Sequence, residues 1–187
     1  MGRPDFAEAA RVTGAVVAAI RDDQLAGPTP SLRYTVADLV DHLDGLSAGL
    51  ASTARKEPPA AEPRPGDGSL LAPGWRERIP AQLATLATAW ADPAAWEGVT
   101  TAGTIELEAA AAGMFALDEI VVHGWELARS TGQAYETDDA AVQAVADFLE
   151  GVPRSEELFG PVVAVPDGAP AIDRLVGLTG RDPAWGP

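Results

Sequence analysis

Leu117-Asp118-Glu119-Ile120-Val121-Val122-His123-Gly124-Trp125-Glu126-Leu127-Ala128-Arg129 decides the fold. At about 100° per residue on a helix, His123 lies roughly 40° and Glu126 roughly −20° from Glu119. These three polar side chains share one narrow stripe. Phe115 and Val122 border it on one side, Ile120 and Leu127 on the other, and Met114, Leu117 and Val121 occupy the opposite face. A helix that is apolar nearly all round belongs at the centre of a bundle. Glu119 and His123, at i and i+4, project from the same side and could hold one ion together. The plainer alternative is an ordinary exposed pair facing water, and it stays open on this helix alone.

The second histidine narrows the choice. Thr35 is a good helix N-cap, with Asp38 three residues on in the place of a capping box. Val36, Leu39, Leu43, Leu46 and Leu50 then form an apolar stripe with His42 at its edge. Gly45 and Gly49 fall on nearly the same side and leave space. A lone His there is ordinarily a core-edge ring donating to a carbonyl. Yet the chain has 2 His, and both sit on core-edge faces of bundle helices. Two His and one carboxylate make a zinc or iron set with positions left for water or substrate. Asp38 is assigned to capping. Asp118, roughly 100° from Glu119, is a neighbour rather than a ligand. Glu126 either orients His123 from behind or is a solvated rim residue. Trp75, Trp90, Trp96, Trp125 and Trp185 are assigned to packing. Ser130-Thr131-Gly132 is a helix end, and no phosphate loop or dinucleotide fingerprint occurs.

The remaining elements follow from periodicity and breakers. The spacing of Val12, Val16, Val17 and Ile20 predicts a first helix from about Pro4 to Leu25, ended by Gly27-Pro28. Between Glu57 and Gly74, Pro58, Pro59, Pro63, Pro65 and Pro73 with Gly66, Gly68 and Gly74 forbid a helix. This reads as a plain flexible connection, with covering or bordering the pocket as its functional alternative. A third helix is expected from Trp75 to Trp90, with Pro80 in its early turns. A fourth runs from Glu106 to Ser130, stopped by Gly132. A fifth is capped by Thr137, ends near Gly151 and turns Val142, Val145, Phe148 and Leu149 inward. An extended tail at Pro161-Val162-Val163-Ala164-Val165-Pro166 and a short helix from Ile172 to Leu178 complete the chain. The expectation is an all-α, single-domain four-helix bundle over 1–187, with additional C-terminal helices and an extended tail.

Composition removes other functions. The 187 residues carry a formal net charge of −15, which repels phosphate backbones and anionic bilayers. With no Cys, disulfides, thiolate metal sites and a Cys nucleophile are excluded. The run Ala15 to Ile20 is too short to span a bilayer, and no signal peptide opens the chain, so a cytoplasmic location is expected.

Thr35-Val36-Ala37-Asp38-Leu39-Val40-Asp41-His42-Leu43 resembles the second-helix motif of the DinB-like bundle family that includes mycothiol-dependent maleylpyruvate isomerase. The stretch from Leu117 to Arg129 resembles its other signature, as does Gly180-Arg181-Asp182-Pro183-Ala184-Trp185 at the end. The resemblance implies a divalent metal on His42, Glu119 and His123, zinc first, with nickel or iron as alternatives. It also implies a low-molecular-weight thiol such as mycothiol, which the metal would hold as thiolate for attack on an electrophile. Two departures stand out. The isomerases carry a further C-terminal domain for which this chain ends too early, and Tyr34 stands where relatives often have Trp. The expected function is a thiol-dependent transferase or isomerase acting on a small-molecule electrophile. Hydrolysis by a metal-bound water is a second enzymatic option. The alternative class is a metal-stabilised or metal-free binding or structural bundle, with a homodimer left open.

Overall fold

The computed structural model describes residues 3–58, 63–153 and 159–186. Pro59, which falls in the Pro/Gly-rich stretch, lies outside them, as do the opening residues Met1 and Gly2. Among the described residues the chain forms six α-helices and one two-stranded sheet. No helix there is long and apolar enough to cross a membrane.

Helix α1 spans Ala7–Ala19, shorter than its periodicity predicts. Ile20 turns extended, and its carbonyl accepts from the Arg76 guanidinium at 2.8 Å instead of continuing the helical ladder. A 3-10 turn at Asp22–Gln24 follows. Helix α2, Val36–Arg55, starts where expected. The Asp38 amide donates to Thr35 Oγ1 at 3.3 Å and the Thr35 amide donates to Asp38 Oδ2 at 2.9 Å, so the capping box is closed both ways. Helix α3, Trp75–Ala91, carries Pro80 within it. That ring lies where a Cβ on Gly14 would come within 3.3 Å, so the glycine lets α1 and α3 approach closely.

The start of the fourth helix is corrected by the structure. Val99–Ala102 and Ile105–Glu108 form an antiparallel hairpin, β1 and β2, with Val99 opposite Glu108 and Ala102 opposite Ile105. Gly103, at φ 62°, supplies the left-handed residue of its turn. Backbone groups committed to the β1 ladder cannot open a helix at Glu106, so helix α4 spans Ala109–Thr131. The hairpin is tied to the last turns of α2: Thr100 Oγ1 donates to the Thr53 carbonyl at 2.6 Å, and Thr53 Oγ1 to the Thr101 carbonyl at 3.2 Å. It therefore joins the end of α2 to the start of α4, which makes these two helices antiparallel neighbours. Gly132, at φ 70°, terminates α4 as expected.

Met114, Leu117, Ile120, Val121 and Leu127 of α4 are buried in the common core. α4 meets α1 closely: a Cβ on Gly124 would lie 2.2 Å from Thr13 Oγ1. Helix α5, Asp139–Glu150, is capped by Asp138 rather than Thr137, the aspartate accepting from the Ala140 amide at 3.0 Å. Helix α6, Ala171–Leu178, receives the Pro161–Pro166 segment along its end, where the Val163 amide donates to the Gly177 carbonyl at 3.0 Å. Phe6 stacks on Trp90, centroids 5.7 Å apart, and Trp96 meets both edge to face, so these indoles are packing residues.

Candidate metal centre

The antiparallel arrangement sets His42, near the start of α2, against the middle of α4. His42 Nε2 is 4.0 Å from Glu119 Oε2, and His123 Nε2 is 2.9 Å from the same oxygen. One ligand atom from each of His42, Glu119 and His123 lies within 4.8 Å of the others. Tetrahedral zinc with bonds of about 2.1 Å would set its ligands roughly 3.4 Å apart. A small closing of His42 and opening of His123 reaches that geometry, so the donor set fits one divalent cation. A Cβ at Gly45 or Gly49 would meet nothing within 4 Å, and Gly45 is exposed, so this face of α2 is open.

Glu126 resolves the choice left open by its helical angle. It has no exposed surface, and its Oε2 accepts from Nδ1 of His123 at 2.7 Å. That bond fixes the ring and turns Nε2 toward Glu119. The other oxygen, Oε1, accepts from Arg181 Nε at 2.8 Å.

Burial alone would lower His123, but the carboxylates of Glu119 and Glu126 reverse this and push it up to about 10. Burial also opposes the Glu119 anion, and the hydrogen bond and charge of His123 bring it down to about 2. Glu119 keeps 37% of its side chain exposed, so water shares that charge. Burial and the neighbouring His123 hold His42 below its usual range. Buried Asp118 is pushed up to about 8 by desolvation and by the adjacent Glu119 charge. Its Oδ1 has no hydrogen-bond partner among the described residues. It sits beside the centre but not in the ligand group, as its angle predicts.

The Pro/Gly-rich connection is not a plain flexible link where it is described. Arg64 donates to both oxygens of buried Asp41, at 2.6 and 2.9 Å, and the Asp67 amide adds a bond at 2.9 Å. The Gly68 amide donates to Asp38 Oδ1 at 2.7 Å. Asp38 thus caps α2 and anchors this strap at once. A Cβ on Gly66 would lie 2.0 Å from the Asp38 carbonyl oxygen and 2.8 Å from His42 Cβ, so the strap lies directly on the histidine. Tyr34 stacks on the His42 ring, centroids 5.5 Å apart, and its hydroxyl accepts from the Gly66 amide at 3.3 Å.

The sequence reading quoted Asp41 and Arg181 within family motifs but gave them no role, and it did not single out Arg64. Asp38 and Asp41, a turn apart at the start of α2, were the available signal for the strap. Arg181 was visible only as part of the Gly180–Trp185 motif, and its pairing with Glu126, 55 residues away, was not.

A helical bundle with a His/Glu/His group across two central helices is one defined class of protein. The mycothiol maleylpyruvate isomerase N-terminal domain family model matches residues 6–128, and the chain belongs to that family. Two relatives from Mycobacterium tuberculosis, Uncharacterized protein MT0763 of strain CDC 1551 / Oshkosh and Uncharacterized protein Rv0738 of strain ATCC 25618 / H37Rv, are each 31% identical over 176 residues. Each alignment covers 91% of this chain and 85% of the relative. No solved structure matches the chain significantly.

Proposed function

We propose that this chain is a divalent-metal protein, with His42, Glu119 and His123 as ligands, and that it works as a thiol-dependent transferase or isomerase on a small electrophile. The convergence of three ligand atoms within 4.8 Å carries the reading. Membership of a mycothiol-related family supports a low-molecular-weight thiol of the mycothiol type as co-reactant. Zinc is the first choice of ion, because two imidazoles and one carboxylate suit it and leave a coordination position for another ligand. When bound, the cation would lower the pKa of a thiol and hold it ready as a nucleophile. The protein's own part is to present the ligands. Glu126 keeps the Nδ1 proton of His123, Tyr34 and the strap together hold His42, and the open face of α2 at Gly45 and Gly49 receives the reactants.

Metal analysis of the purified protein is the first test. Near-stoichiometric zinc that is lost in His123→Ala supports the site. A thiol-plus-electrophile activity unchanged by His42→Ala overturns the catalytic reading.

The direct 2.9 Å contact between His123 and Glu119 favours a second reading, a binding or structural bundle in which an ion pair fills the centre. Thiol binding that does not need metal would favour it.

A further inference from the structure

The His42, Glu119, His123 and Glu126 positions all fall within the family match, which stops at residue 128. A contact to the side chains of this group comes from beyond that match, on the Glu126 carboxylate. Arg181 follows α6, keeps only 16% of its side chain exposed, and divides the Glu126 carboxylate with His123, one oxygen each. We infer that Arg181 is a positioning residue of the metal centre: acting through Glu126, it fixes the His123 ring so that Nε2 faces the point shared with Glu119 and His42. This rests on the metal-site reading above.

The chain Arg181–Glu126–His123 is continuous and buried. Glu126 has no exposed surface, so water cannot take over either of its bonds. A carboxylate bonded through one oxygen only can rotate about its last torsion. Bonded through both, it is locked, and the ring it holds is locked with it. The guanidinium is itself held. Nη1 of Arg181 donates to the Thr179 carbonyl at 2.6 Å. Further along, Arg129 of α4 donates through Nε to the Trp185 carbonyl at 3.1 Å, so the segment is fastened to α4 on both sides of Asp182. The Trp185 amide closes a turn on the Asp182 carbonyl at 2.9 Å, which shortens the span between the two anchors. The C-terminal segment is therefore part of the centre's support, although it is remote from the ligands in sequence.

The test uses the full chain and two readouts. Zinc affinity is measured by chelator competition, and the ring nitrogen and N–H signals of His123 are followed by NMR in metal-free protein. Arg181→Met is expected to weaken zinc roughly 10- to 100-fold, the range for loss of a group that orients a metal ligand. It should also shift or broaden the Nδ1–H signal. Arg181→Lys, which keeps the charge, should restore part of both. Arg181→Met strands a buried carboxylate and so endangers folding. The double variant Glu126→Gln/Arg181→Met strands no charge and should fold while still binding zinc weakly. Wild-type zinc affinity and an unchanged ring signal in folded Arg181→Met, with no difference in Arg181→Lys, would overturn the inference. If Arg181→Met does not fold, a wild-type signal and affinity in both other variants would do so. Wild-type protein that takes up no zinc overturns the metal reading instead, and the ring signal in the metal-free variants then decides the role of Arg181 by itself.

Discussion

His42 of α2 and His123 of α4 meet edge to face, with ring centroids 5.1 Å apart and planes at 84°. They have opposite protonation tendencies. His42 is driven toward the neutral form by burial and by its partner, whereas His123 is held protonated, up to about 10, because two carboxylates outweigh its burial.

A divalent ion must displace the proton on Nε2 of His123. Apparent zinc affinity should therefore rise by about tenfold per pH unit between pH 6 and 9. Chelator competition at several pH values checks this, and a flat profile would refute it. Metal-free protein should show the opposite trend. A folded-state value raised above the unfolded value of about 6.5 gives stabilisation that is complete below that pH and lost as pH climbs toward 10. Thermal melts of chelated protein across that window provide the measurement.

Glu126 is fully buried between two cationic partners. Replacing it with Gln leaves Arg181 without its anion, so we expect a loss of about 3–5 kcal/mol in urea unfolding of the metal-free protein. Glu119→Gln should cost much less, because that carboxylate is 37% exposed. Equal losses would contradict the assignment of Glu126 as the buried anchor.

Gly66→Ala should detach the strap. The added methyl group would overlap the Asp38 carbonyl, and that atom belongs to a capped helix that cannot retreat. Overpacking of this kind costs about 1–3 kcal/mol. Faster hydrogen exchange at the Asp67 and Gly68 amides, with α2 still protected, is the expected signature. Unchanged exchange would show that the strap does not lie on His42 as described.

Asp118 gives a pH-dependent cost. Its folded-state value, near 8, exceeds the ordinary carboxylate value, so the native state holds a proton that the unfolded chain releases. Stability is lost on this account as pH rises from about 4 to 8. Asp118→Asn cannot ionise. Its melting temperature should therefore overtake that of the parent progressively over this range, with no advantage at pH 4. A constant offset would mean that Asp118 is already charged in the fold.

Much of the architecture was legible before any coordinates. Thr35 with Asp38, Gly132 and the apolar stripes of α2 and α4 are local signals, and local hydrogen bonds and side-chain periodicity set them. The hairpin was missed because its strands are four residues each and the apolar run that follows dominates the helical pattern. The early end of α1 was also illegible, since Arg76 of another helix takes the carbonyl that would continue it.

The sequence by itself determined which faces of α2 and α4 are apolar, and it left Glu119, Glu126 and both histidines on the edges of those faces. Helical spacing is enough for that. It could not say whether Glu126 faced water or His123, whether the Pro/Gly segment was free or fastened to Asp41, or that Arg181 reached the centre. Those outcomes depend on pairs brought together by packing between separate elements, and the low polarity of the closed interior makes each such pair strong. Periodicity reports direction about one helix axis; only the meeting of several axes decides what lies in that direction.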